Sequence, residues 1–111
     1  MSGITTHVLD TSSGRPAAGV SLVLERAADA GWEPVARGTT DGDGRARDLL
    51  TSAPEEGRYR LTFDTGAYFE AVGAVGFYPE VSVTFVVERG QQHYHVPLLL
   101  SPWGYSTYRG S

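Results

Sequence analysis

Two imidazoles one residue apart, in His93-Tyr94-His95, are the densest source of chemistry in this chain. In a strand, alternate side chains share a face, so both rings would point the same way. Neutral imidazole is a competent general base near neutral pH. Two histidines at this spacing are also half of a common zinc site, with His7 available as a third ligand. No Asp, Glu or Cys shares the strand and Pro97 continues its histidine face, which favours a wet, histidine-lined cleft over a metal centre. His7 alternates with Thr5 and Leu9, so it reads equally as a functional imidazole or as a partly buried one held by a threonine hydroxyl.

Arg45 comes directly after the acid-rich turn Asp41-Gly-Asp-Gly44. A calcium loop would need further spaced oxygen ligands and a distal bidentate glutamate, and both are missing. A guanidinium just past a tight turn suits a forked contact with a planar, anionic or carbonyl-rich ligand. A solvated surface arginine is the plainer alternative. The closing run Tyr108-Arg-Gly-Ser111 supplies a stacking ring, a fixed cation, a hinge, and a hydroxyl beside the terminal carboxylate. Chain ends are usually small, polar and unpatterned. One furnished this way is expected to dock, with Arg109 pinning it through an ion pair.

The elements that must position these groups read as strands. Ile4–Leu9 is a short β-leaning run, and Val20–Glu25 alternates with Val20, Leu22 and Leu24 on one face. Trp32–Arg37 follows, its Pro34 placing it near an edge or an end. Arg45–Leu50 is predicted as a short strand after the turn. Tyr59–Phe63 points Tyr59, Leu61 and Phe63 inward, and Val81–Val87 repeats that pattern. His93–Leu100 and Trp103–Tyr108 complete the set. Between Thr65 and Val75, Tyr68, Phe69 and Val72 have helical spacing, enough for about two turns. Seven to eight short strands with one short helix predict an all-β, antiparallel β-sandwich forming a single domain over residues 1–111.

Composition excludes several functions. Nine basic against thirteen acidic residues give a net charge of −4 without a basic cluster, which argues against nucleic acid or an anionic membrane as partner. The absence of cysteine rules out disulfides and thiol chemistry. The opening Met1–His7 has no basic region leading into an apolar stretch, so a cytoplasmic location is expected.

These pieces together resemble the 5-hydroxyisourate hydrolases, the transthyretin-like proteins of purine catabolism. The resemblance runs nearly end to end. It is carried by Thr6-His-Val-Leu-Asp10 with Gly14-Arg-Pro16, by Thr40-Asp-Gly-Asp-Gly-Arg45, by Tyr68-Phe69 and by Phe77-Tyr-Pro-Glu80. His93-Tyr-His-Val-Pro-Leu-Leu-Leu-Ser-Pro102 and Tyr105-Ser-Thr-Tyr-Arg-Gly-Ser111 complete it. The closing Tyr-Arg-Gly-Ser separates the hydrolases from the hormone-carrying transthyretins that share the sandwich. The resemblance implies a homotetramer, a dimer of dimers with active sites in the channel between them. It also implies hydrolysis of 5-hydroxyisourate without cofactor or metal. His7, Arg45, His95 and Ser111 are the catalytic residues it points to, with His7, Arg45 and Tyr108 binding substrate. A carrier that holds a planar molecule in the channel is the alternative.

Overall fold

Hydrophobic alternation becomes two facing sheets in the computed structural model, which describes residues 3–47, 49–50, 52–90 and 93–110. The strands are β1 (Gly3–Asp10), β2 (Arg15–Pro16), β3 (Ser21–Ala28), β4 (Gly31–Thr39), β5 (Arg45–Ala46), β6 (Gly57–Phe63), β7 (Val81–Val87), β8 (His93–Ser101) and β9 (Gly104–Thr107). One helix, α1 (Thr65–Ala71), lies between β6 and β7. The first sheet has the order β2-β1-β8-β9, with β5 also pairing with β1, and the second has the order β4-β3-β6-β7. Ile4, Val8, Leu22, Leu24, Leu61, Phe63, Leu98 and Leu100 fill the layer between the sheets and are almost completely buried. Each such side chain contributes about 1.5–3 kcal/mol by leaving water.

The sandwich and its short helix are as expected, with three departures. The pairing is not wholly antiparallel: β1 and β8 run parallel over eight rungs, from Gly3 opposite His93 to Asp10 opposite Leu100. The strand expected over Arg45–Leu50 stops after Ala46, because Leu49 turns into the core and packs where Gly38 leaves room. Val72 caps α1 and stays exposed, so the helix buries Tyr68 and Phe69 alone of the three residues with helical spacing. Asp64 caps the other end of α1, accepting the Ala67 N–H at 3.1 Å. Pro34 lies in edge strand β4 beside a register shift opposite Leu24 and Glu25, where a missing backbone donor is tolerated. Among the described residues no helix is long and apolar enough to cross a membrane.

Asp10, at the end of β1, ties the helix to this frame. Its carboxylate is buried and accepts the Tyr68 hydroxyl at 2.8 Å, the Ser12 hydroxyl at 2.6 Å and the Ser12 N–H at 3.0 Å. Burial pushes the carboxyl pKa up, but the hydrogen bonds from Ser12, Tyr68 and Ser13 outweigh it and hold the group below its ordinary value. The Tyr68 hydroxyl is pushed up to about 12, first by burial and then by Asp10. A depressed folded-state pKa means that the stabilisation is complete above the unfolded value and is lost as pH falls through the folded one. Tyr68→Phe is therefore expected to lower stability by about 1–3 kcal/mol at neutral pH. In urea unfolding the gap from wild type should narrow below about pH 4. An equal gap at both ends of that range would show that the bond does not depend on the Asp10 charge.

Candidate active site

The outer face of the first sheet collects the groups that sequence reasoning singled out. Core-facing residues of β1 are Ile4, Thr6, Val8 and Asp10, which turns Thr5 and His7 outward. In β8, Tyr94, Val96, Leu98 and Leu100 face inward, which turns His93 and His95 outward. Register then fixes neighbours: Thr5 lies opposite His95, His7 opposite Pro97, and Arg45 of β5 opposite His7 on the other edge of β1. Strand spacing and rise place the His7 and His95 backbones about 8 Å apart, with Arg45 about 5 Å from His7. Three segments remote in sequence thus bring two imidazoles and a guanidinium onto one patch the size of a small heterocycle.

The turn before Arg45 is built to hold it there. Asp41 accepts the N–H of Asp43 at 2.9 Å and of Arg45 at 3.1 Å, and those two bonds, the latter first, draw its carboxyl pKa below the ordinary value. Both bonds fall on one carboxylate oxygen, Oδ1, which ties the turn to the residue that leads β5. Gly44 has a φ of 76°, and its carbonyl accepts the Val8 N–H at 2.7 Å. A Cβ on Gly44 would stand 2.4 Å from the Val8 carbonyl oxygen, so only glycine lets the turn approach β1 this closely.

His95 is the ring whose environment is most altered. Burial lowers its pKa first, and the nearby His7, His93 and Arg45 charges lower it further, while a hydrogen bond with the Thr5 backbone acts the other way. The ring is therefore held neutral at physiological pH, the state a proton acceptor needs. Its Nδ1 lies 2.8 Å from the Thr5 hydroxyl. A threonine hydroxyl is one of two readings open for His7; the parallel register sets the Thr5 hydroxyl beside His95. Among the described residues His93 Nδ1 is buried and has no hydrogen-bond partner.

The closing segment folds back along β8. Thr107 donates its hydroxyl to the Pro97 carbonyl at 2.7 Å, and the Gly110 N–H donates to the His95 carbonyl at 2.8 Å. A Cβ on Gly110 would stand 2.5 Å from His95 Cδ2, so the tail backbone lies directly against the imidazole. Among the described residues Arg109 makes no ion pair, and its guanidinium lies over the Tyr94 ring, 4.6 Å from the centroid. Tyr108 is exposed and, with Arg109, lines a groove at the open edge between the sheets that Val83, Phe85 and Val96 also border. The single chain thus gathers His7, Arg45 and His95 and sets Tyr108 along a neighbouring opening. Ser111 lies outside the described residues.

Among the described residues no three His, Asp or Glu side chains are grouped closely enough to hold a metal ion, so the zinc alternative through His7, His93 and His95 has no geometric support. Sequence reasoning reads Gly110 only as a hinge; its close approach to the His95 ring is what the fold adds.

A two-layer sandwich with imidazoles and a guanidinium on one outer sheet face has the parts to activate water beside a carbonyl group. The chain belongs to the HIUase/Transthyretin family, whose model matches residues 4–110. It is 50% identical over 113 residues to a mouse protein named 5-hydroxyisourate hydrolase, covering 99% of this chain and 96% of that one. Its fold matches the structure of Klebsiella pneumoniae 5-hydroxyisourate hydrolase with a TM-score of 0.87 and 38% identity, over 97% of this chain and 98% of the other. It also matches the crystal structure of transthyretin from Sparus aurata with a TM-score of 0.90 and 34% identity, over 99% and 97% of the two chains.

Proposed function

We propose that this chain hydrolyses 5-hydroxyisourate to 2-oxo-4-hydroxy-4-carboxy-5-ureidoimidazoline in urate degradation. The observation that carries the reading is the convergence of His7, Arg45 and His95 on one sheet face, in a chain half identical to a protein named for that activity. In the reaction, water forms a C–O bond to a ring carbonyl carbon and loses a proton as it attacks. The ring C–N bond then breaks and the departing nitrogen takes a proton, so one water is added in all. His95, held neutral, accepts the first proton and returns it to the nitrogen. Arg45 binds the carbonyl-rich edge and offsets charge on the oxygen, and His7 orients the substrate beside it. Tyr108 stacks on or hydrogen-bonds the flat ring, and Ser111, bonded to Gly110, serves as a proton relay or substrate clamp.

The reading includes a homotetramer, a dimer of dimers in cytoplasm. One sheet face is too flat to exclude water, and a facing copy would turn it into a concave, partly dry site. The residues that act on substrate need neither metal nor cofactor.

The test follows the ultraviolet absorbance of 5-hydroxyisourate freshly made from urate by urate oxidase. Added protein is expected to accelerate its decay at catalytic concentration, with the rate unchanged by chelation. The likeness to sea bream transthyretin, solved in complex with thyroxine, supports a second reading, a carrier for a planar molecule. A carrier would bind saturably and leave the decay at its spontaneous rate, and that result would overturn the hydrolase.

A further inference from the structure

Thr5 stands directly opposite His95 in the parallel ladder, and its side chain is buried although it lies on the outward side of β1. Its hydroxyl oxygen is 2.8 Å from His95 Nδ1. Thr6 locks the next rung, donating its hydroxyl to the Val96 carbonyl at 2.6 Å. The strand beneath Thr5 therefore has little freedom to drift along β8. From the other side, Gly110 crowds the Cγ–Cδ2 edge of the ring, since a Cβ there would meet Cδ2 at 2.5 Å and Cγ at 3.3 Å. With Nδ1 engaged and the Cγ–Cδ2 edge covered, the edge left open among the described residues is Cε1–Nε2.

We propose that Thr5 is the positioning residue for His95, its hydroxyl accepting the Nδ1 proton so that Nε2 is presented bare to the attacking water. The assignment rests on the hydrolase reading above. Which nitrogen of a neutral histidine carries the proton is set by the hydrogen bond made by the other. A base acting through Nε2 needs its proton on Nδ1, and a threonine oxygen there has a lone pair to receive it. The choice of partner matters. A carboxylate at Nδ1 would fix the same tautomer but would also draw the ring toward its charged form. Among the described residues, none of the groups that shift His95 is a carboxylate: they are His7, His93, Arg45 and the Thr5 backbone. An uncharged hydroxyl can accept the Nδ1 proton without adding a negative charge that would draw the ring toward its cationic form.

The test uses full-length Thr5→Val, which keeps shape and β propensity but removes the acceptor, with Thr5→Ser as the conservative rescue and Thr5→Ala as a second variant should valine disturb packing. The first readout needs no substrate: long-range proton–nitrogen spectra of histidine-labelled protein report which ring nitrogen of His95 is protonated. Wild type and Thr5→Ser are expected to hold the Nδ1–H form, and Thr5→Val and Thr5→Ala to show a mixture. The second readout is turnover. In Thr5→Val, kcat is expected to fall about 10- to 100-fold, part of the roughly 100- to 10,000-fold that a positioned base supplies, with KM within about twofold and recovery in Thr5→Ser. An unchanged tautomer in both Thr5→Val and Thr5→Ala, or a kcat no better in Thr5→Ser than in Thr5→Val, overturns the assignment. Wild type that fails to turn over substrate overturns the hydrolase reading instead, and the spectra still decide the role of Thr5.

Discussion

His95→Ala is expected to lower kcat by about 100- to 10,000-fold while leaving the thermal unfolding midpoint close to that of wild type. The ring lies on the outer sheet face, so its loss opens no cavity between the sheets, where the core-facing neighbours Tyr94 and Val96 remain packed. Its environment adds a second signature. Burial first, then the charges of His7, His93 and Arg45, lower its pKa, so the proton-accepting form persists as pH falls past the ordinary histidine value. The acid limb of kcat/KM in wild type should therefore stay level through about pH 6.5 and decline only below it. Protonation destroys the base, so the sign is fixed: a lower pKa extends activity toward acid. Pairing the variant with a full pH profile separates a base from a mere contact. An acid limb centred above that pH, or His95→Ala turning over at the wild-type rate, would move the base to His7.

How much of this was legible in the sequence follows from the range of the forces involved. Val81–Val87 was bounded to the residue because alternation of buried and exposed side chains is a local property. The outward facing of His93 and His95 was legible for the same reason. The parallel register of β1 on β8 was not, although it is what makes a site of the pieces. Nothing in Gly3–Asp10 or His93–Ser101 names the other strand; their alignment is chosen by core packing among Ile4, Val8, Leu98 and Leu100. A shift of two rungs would keep every apolar residue inward and would still part Thr5 from His95. The early end of β5 was equally hidden, since it depends on Leu49 finding space beside Gly38 in another strand. The contact of Arg109 with Tyr94 belongs here too: charge counting suggests an ion pair, and only the folded edge offers an aromatic face instead. The resemblance to a known family supplied the grouping of His7, Arg45 and His95 that local periodicity does not contain.

Arg45→Ala is the second large expected effect, a fall of about 100- to 1,000-fold in kcat, the range seen when one oxyanion-stabilising donor is removed from a preorganised site. The side chain is exposed and makes no ion pair among the described residues, so the loss should leave stability unaltered. Arg45→Lys distinguishes charge from shape. An ammonium keeps the charge but not the planar fork that grips two oxygens at once. It should restore part of kcat, since offsetting oxyanion charge needs only a cation, and leave KM raised, since holding a carbonyl-rich edge needs the fork. Removing the cation also relieves one of the charges that lower the His95 pKa, so the acid limb of Arg45→Ala should shift toward neutrality relative to wild type. Gly44→Ala provides an independent route to the same result. It keeps the guanidinium but forces the turn off the Val8 carbonyl, carrying Arg45 away from His7, and it should mimic Arg45→Ala in rate. Full activity in both Arg45→Ala and Gly44→Ala would mean that the guanidinium does not touch the reacting carbonyl, and that the charge on the oxygen is met by some other group.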